Sequence, residues 1–243
     1  VGQLAGGVAH VFNNILAAIL GNVALAGEDL PAAHAARNSL DQIRRAGLRA
    51  RSLVQQILTF SRRQPNELVG QALRPVVEET VALLRATLPA WVRLQTVLPD
   101  APLQVQADAT QLQQVVMNLC TNAWHALPEG RGHIEIGLEA LSADAAAALD
   151  LGDLPAGPCA HLWVRDTGCG MEPNLVERIF DPFFTTKPPG HGTGLGLSVV
   201  HGIVRGHQGL VQVQSQLGEG STFHVYLPAV APGPSEEDQG GGP

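Results

Sequence analysis

Two long apolar rhythms at the start of the chain restrict its fold more than any other feature. Leu4, Val8, Val11, Ile15, Ala18 and Leu25 follow one another at spacings built from four and three, and Ala5, Ala9, Phe12, Leu16, Ile19 and Val23 form a second stripe beside them. Spacing of this kind lines one broad face of an α-helix. The pattern breaks over Glu28 to Ala33, around Pro31, and resumes at Ala36, Leu40, Ile43, Gly47, Ala50, Val54 and Ile57, up to about Arg63. The reading is an antiparallel helical hairpin. Two helices that are apolar on more than one stripe cannot hide that surface between themselves. The expected solution is a homodimer in which two hairpins build a four-helix bundle.

After Pro65 the character changes to mixed helix and strand. Val76 to Leu84 and Ala109 to Leu127 read as helices, and Val92 to Leu98, Ile134 to Leu138, His161 to Val164, Leu210 to Gln214 and Phe223 to Leu227 as strands. Ala143 to Leu154 reads as an inserted loop or short helix between strands. The expected class is α+β: the helical hairpin followed by a two-layer α/β sandwich, with helices on one face of a mixed sheet. The domain expectation is residues 1–64 for the hairpin, 65–230 for the sandwich, and 231–243 for a Pro-, Gly- and acid-rich tail or linker without fixed structure. The chain opens at Val1 inside an amphipathic pattern, so it reads as a piece of something longer.

Bulk properties remove several function classes. There are 22 acidic against 15 basic side chains, a net charge of −7, and no basic block beyond pairs such as Arg44-Arg45 and Arg62-Arg63. Nucleic acid is therefore not the expected partner. No apolar run approaches the roughly 18 residues of a membrane span, so no membrane contact is expected of this segment. Cys120, Cys159 and Cys169 are far apart and lack paired metal-ligand spacing. They suit a reducing, cytoplasmic setting and read as buried or half-buried thiols.

Four short segments of the second block carry chemistry. Asn118 and Asn122 lie four apart on one helix face, away from Leu112, Val115, Val116 and Leu119, and two amides there can hold a Mg²⁺–phosphate unit. Val164 to Met171 is a strand ending in the carboxylate of Asp166 and a turn with Gly168 and Gly170; a carboxylate there can accept a hydrogen bond from an exocyclic amine such as that of adenine. Ile179 to Lys187 runs from the aromatics Phe180, Phe183 and Phe184 into Thr185, Thr186 and the cation of Lys187. Gly192-Thr193-Gly194-Leu195-Gly196-Leu197-Ser198 then leads into the apolar stretch Val199 to Val204, as a phosphate-handling loop leads into a helix N-terminus.

In order and wording these segments resemble the asparagine, first glycine, phenylalanine and second glycine boxes of sensor histidine kinases. The ATP-binding domain of that family is of the GHKL type, and the resemblance runs essentially to Pro228. It implies ATP and Mg²⁺ as cofactors, with Asn122 ligating the metal and Asn118 assisting. It implies that Asp166 reads adenine, that Gly168 and Gly170 shape the nucleotide turn, and that Thr222 supports the adenine end through water. Residues Thr185 to Gly192, with Thr186 and Lys187 among them, become a mobile lid, Gly194 and Gly196 admit the phosphates, and Phe183, Thr193 and Leu195 count as further nucleotide-binding residues. His125 stands where the family often has Lys or Arg, and reads equally as a phosphate-side group or a surface histidine. Related ATP hydrolases carry Glu where Asn118 stands; an amide is a poor base, which favours transfer over hydrolysis.

The segment Leu4 to Leu16 resembles the phosphoacceptor box of the nitrogen-regulation-like histidine kinases, with His10 as acceptor and a response-regulator receiver domain as partner. Asn14, at i+4, shares the face of His10, and the family can use an amide there to orient a water that dephosphorylates the receiver. One residue departs from the pattern. The family usually places Asp or Glu directly after the histidine as its hydrogen-bond partner and base, and this chain has Val11. General-base assistance is worth about 10²–10⁴-fold, so a weakened autokinase is expected. The alternative is a kinase-impaired nucleotide-binding module acting as a phosphatase or conformational regulator. A third reading, a mechanical ATPase, is disfavoured by Asn118 and the hairpin.

Overall fold

The computed structural model describes residues 2–31, 34–44, 46–47, 50, 68–149, 151–152, 154–187 and 193–230, with side chains from residue 15 onward. Val54, Ile57, Gly192 and the 231–243 tail lie outside them. The chain divides into two compact units, Val1–Pro65 with Phe183–Leu195, and Asn66–Pro182 with Gly196–Pro243.

In the first unit, α1 spans Gly2–Asp29 and α2 is helical over residues 36–44, 46–47 and 50. The turn between them is tied by one side chain. Arg37 Nη2 donates to the carbonyls of Gly27 at 2.7 Å and Leu30 at 2.6 Å, and its Nε reaches Pro31 O at 3.0 Å. The Gly27 carbonyl belongs to the last turn of α1, where no intrahelical partner exists and the dipole favours a cation, and Leu30 and Pro31 follow directly after it. Farther along, Gly47 faces Leu20 so closely that a Cβ at Gly47 would lie 2.8 Å from Leu20 Cδ2. The two helices therefore pack through a small residue, as the hairpin reading requires. Ile15, Ile19, Leu25 and Ile43 remain exposed in the single chain. Among the described residues no helix is long and apolar enough to cross a membrane.

The second unit runs β1 (Val69–Ala72), α3 (Leu73–Thr87), β2 (Val92–Val97), β3 (Gln104–Ala107), α4 (Ala109–Ala126), β4 (Gly132–Leu141), α5 (Ala143–Ala148), β5 (Cys159–Asp166), α6 (Pro173–Val176), α7 (Gly196–Gly206), β6 (Leu210–Gln216) and β7 (Gly220–Val230). The sheet order is β1-β3-β7-β5-β4-β2, with β6 also paired to β7. Among the described residues only β2 and β4 pair in parallel; the other pairings are antiparallel. The sheet is therefore mixed, as expected, and α5 occupies the expected insertion. β1 and β3, of four residues each, were not evident from the sequence pattern.

Alternation decides which face is core. Ile134, Ile136 and Leu138 of β4, Leu162 and Val164 of β5, and Phe223, Val225 and Leu227 of β7 are buried, as period-two geometry requires of strands packed on one side. They meet α4, whose Leu112, Val115, Val116, Leu119, Cys120 and Ala123 recur at helical spacing. Asp108 caps α4, its Oδ1 accepting from the N–H groups of Thr110 at 2.8 Å and Gln111 at 3.2 Å. The buried His207 at the end of α7 ties the two helices: its Nε2 accepts from Asp108 N at 3.1 Å while Nδ1 donates to Ile203 O at 2.8 Å.

Candidate functional site

The site begins at the buried end of β5. Asp166 is 3% exposed. Its Oδ1 accepts the N–H of Gly168 at 2.7 Å, and the backbone of Ser221 also donates to the carboxylate. Burial raises its pKa above the ordinary carboxylate value, and the two backbone donors oppose this without cancelling it. A carboxylate held this way by backbone has a fixed direction and presents acceptor capacity to a ligand.

The turn after Asp166 is shaped by close approach. A Cβ at Gly168 would lie 2.5 Å from Asp166 Oδ1 and 2.8 Å from Ala126 O. Gly170 has φ of 63°, and a Cβ there would be 1.9 Å from Gln216 O. No other residue fits either position without moving backbone. Between them the N–H of Cys169 donates to Ala126 O at 2.9 Å, which fastens the turn to the end of α4. Cys169 is exposed, whereas Cys120 and Cys159 are buried, so the expectation of three hidden thiols fails at Cys169. The turn that binds its backbone to α4 leaves its side chain outside.

Asn118 and Asn122 stand half-buried on one face of α4, and that face meets the N-terminus of α7. Asn118 Nδ2 donates to Gly196 O at 3.4 Å, and a Cβ at Gly196 would come 3.7 Å from Asn122 Nδ2. The amides therefore sit beside the start of a helix, where backbone N–H groups lack partners. Each amide also offers a carbonyl oxygen, the donor type Mg²⁺ accepts, so the residues fit that ion. His125 is exposed at the last turn of α4 with its ring stacked on Trp124 at 5.1 Å.

The strand register separates Ser221 from Thr222. In the register of β5 and β7, Asp166 faces Ser221, and Thr222 faces Arg165. Ser221 is buried while Thr222 is half-buried. Strand alternation gives the reason: Phe223 points into the core, so Ser221 shares its face and Thr222 takes the other. The signal was present in the sequence as the position two before a core aromatic. Ser221 Oγ lies 2.9 Å from Ser215 Oγ of β6.

The described residues of the expected lid belong to the first unit. Phe183 is 70% exposed with φ of 68°, so it is not an ordinary core residue. Thr185 Oγ1 accepts from Lys187 N at 3.2 Å, and Thr193 Oγ1 accepts from Leu195 N at 3.3 Å. Thr186 is exposed and Leu195 is buried. Lys187 is half-buried, which lowers its pKa. His10 and Asn14 both fall within α1, one turn apart.

Comparison with known proteins matches residues 107–231 to the family described as histidine kinase-, DNA gyrase B- and HSP90-like ATPase, and residues 1–66 to the His Kinase A (phospho-acceptor) domain. The sensor kinase CckA of Brucella abortus is 40% identical over 228 residues, covering 94% of this chain and 24% of the relative. The signal transduction histidine-protein kinase AtoS of Escherichia coli is 34% identical over 230 residues, 94% of this chain and 35% of that protein. The chain thus spans about a quarter of the length of the first relative and about a third of the second. In fold it is similar to full-length ShkA in complex with AMPPNP, with a TM-score of 0.73 over 96% of this chain and 47% of that one at 23% identity. The first family match supports ATP as the nucleotide of the second unit.

Proposed function

Since this chain belongs to the sensor histidine kinases by its two family matches, we propose that it binds ATP with Mg²⁺, autophosphorylates on His10 and passes the phosphoryl group to an aspartate of a response-regulator receiver domain. The observation that carries this reading is the meeting of the Asn118 and Asn122 face of α4 with the start of α7, in a chain whose other matched domain contains His10.

Each residue then has a task. Asp166 accepts from the adenine amine while Gly168 and Ser221 hold its carboxylate in place. Ser221, by its register with Asp166, takes the supporting role first given to Thr222. Gly168 and Gly170 let the chain pass under the base. Gly194 and Gly196 admit the phosphates, and residues Thr185 to Gly192, with Thr186 and Lys187 among them, form the lid, with Phe183, Thr193 and Leu195 as further nucleotide-binding residues; His125 is a candidate on the phosphate side. Asn122 would hold Mg²⁺ with Asn118 assisting, and the ion, when bound, would neutralise phosphate charge. An unprotonated imidazole nitrogen of His10 attacks the γ-phosphorus; an N–P bond forms, the bond from Pγ to the bridging oxygen breaks, and ADP leaves. The phosphoryl group then moves from nitrogen to a receiver carboxylate oxygen. Exposed Ile15, Ile19, Leu25 and Ile43 support a homodimer through the hairpin.

Val11 supports a second reading. Valine can neither orient the imidazole of His10 nor take its proton, so the autokinase is weak and the chain acts mainly on its partner, through Asn14 as a phosphatase or through nucleotide-dependent shape. Incubation with γ-labelled ATP and Mg²⁺ decides between them. Acid-labile label that vanishes in His10→Ala and rises in Val11→Asp establishes the kinase; nucleotide binding with no such label in either wild type or Val11→Asp moves the assignment to the second reading.

A further inference from the structure

The sheet face turned away from the helical core carries a chain of three ionisable side chains from three strands. His161 of β5 is buried. Its Nδ1 lies 2.7 Å from Glu139 Oε1 of β4, and its Nε2 lies 2.9 Å from His224 Nδ1 of β7. Nε2 of His224 is buried without a hydrogen-bond partner among the described residues. Tyr226 stacks on His161 at 4.6 Å, and the ring of Trp163 lies tilted 5.2 Å from it.

The arrangement has a direction. A carboxylate only accepts, so Nδ1 of His161 must carry the proton it shares with Glu139. In the neutral pair Nε2 of His161 is then bare and accepts from Nδ1–H of His224, which leaves Nε2 of His224 as a buried, unpaired acceptor. That atom is where a further proton is taken up. When it is protonated, the Nδ1 proton of His224 can cross to Nε2 of His161, and no heavy atom has to move. The sum is one proton gained: His161 becomes imidazolium against Glu139, and His224 changes from the Nδ1–H to the Nε2–H tautomer. A second proton would set two N–H groups against each other across the 2.9 Å contact.

We propose that Glu139, His161 and His224 form a proton relay in which a proton taken up at His224 Nε2 comes to rest as positive charge on His161, making β4, β5 and β7 a pH-sensitive unit of the ATP-binding domain. The surroundings leave this chain as the responding group. On β4, Glu135 accepts from Trp163 Nε1 at 3.2 Å and stands opposite Arg165. On β5, Cys159 is buried, and Tyr226 of β7 packs with it against Ala146 and Leu151 of the insertion. On β6, uncharged Gln212 and Leu210 stand opposite His224 and Tyr226. Burial and neighbouring His161 hold His224 below the ordinary imidazole value, with Glu139 pulling the other way, in keeping with a pair that takes one proton and resists a second.

Nitrogen-15 NMR of the imidazoles in the full 243-residue chain tests the relay, from about pH 8 to about pH 5. The expected result is Nδ1–H on both rings at the alkaline end, then a single midpoint at which His161 gains charge and His224 switches to Nε2–H. In Glu139→Gln, which keeps an acceptor oxygen and removes the charge, that midpoint falls by about one pH unit, a tenfold weaker proton uptake. Separate midpoints for the two rings, or Nε2–H on His224 at the alkaline end, overturn the proposal. The wild-type tautomers decide the matter even if Glu139→Gln does not fold.

Discussion

The backbone N–H of Phe183 donates to the carbonyl of Gly194 at 2.9 Å, and both residues are in the left-handed region, with φ of 68° and 65°. One hydrogen bond therefore joins the two ends of the segment between them. Gly194 makes this possible, since a Cβ there would lie 2.3 Å from Phe183 C.

Gly194→Ala should open that neck. A left-handed alanine costs about 1–2 kcal/mol, and the clash is with backbone that cannot swing aside. Titration with a fluorescent ATP analogue should show affinity lowered about tenfold, equivalent to about 1.4 kcal/mol, with thermal unfolding of the sheet domain little changed. Wild-type affinity in the folded variant would remove the neck from nucleotide binding.

Asp166 separates binding from stability. Its folded pKa is raised by burial. Between the unfolded value and the raised folded value the native state binds more protons, so its contribution to stability declines as pH rises through that window. At neutral pH Asp166→Asn keeps an acceptor for Gly168 N–H and loses a buried charge. Calorimetry should find a melting temperature equal to or above wild type, while ATP affinity falls at least about tenfold. Wild-type affinity should also weaken as pH drops toward the raised value, where the carboxyl ceases to be purely an acceptor.

Thiol labelling should single out Cys169. Burial pushes Cys120 up to about 12 and also raises Cys159, whereas Cys169 is exposed between Gly168 and Gly170. A chromogenic disulfide reagent at neutral pH should react quickly with one thiol per native chain, the others following only on unfolding. Saturating ATP should slow that reaction; equal rates with and without ATP would place the nucleotide away from this turn.

Gly137→Ala tests the other sheet face. The indole of Trp163 lies across Gly137, so a Cβ there would sit 1.9 Å from Trp163 Cζ2. The substitution should cost about 1–3 kcal/mol and lower the melting temperature by several degrees. Trp163→Leu in the same chain should recover part of that loss, a non-additivity expected of residues in direct contact.

Much of this protein is encoded over short distances. The four-and-three rhythm before Pro31, the α4 pattern from Leu112 to Ala123, and the alternation in β4, β5 and β7 each repeat at a period fixed by backbone geometry. The nucleotide motifs are similarly local, since glycine turns and helix amides act over four to seven residues. By contrast, β1 and β3 are too short and too polar to show a period. These segments are strands because they pair, Val69 with Ala107 and Gln104 with Val230.

What the sequence by itself determined was the kind of each long element, their order, and the family chemistry they carry. Tertiary structure decided register and meeting. It set Ser221 rather than Thr222 opposite Asp166, seated His207 on the N–H of Asp108, and joined His161 to Glu139 and His224, which lie 22 and 63 positions away. The reason is range. A period is written in the chain within one element, whereas a register exists only when two strands far apart in sequence settle against one core, and a one-residue slip would turn every side chain to the other face.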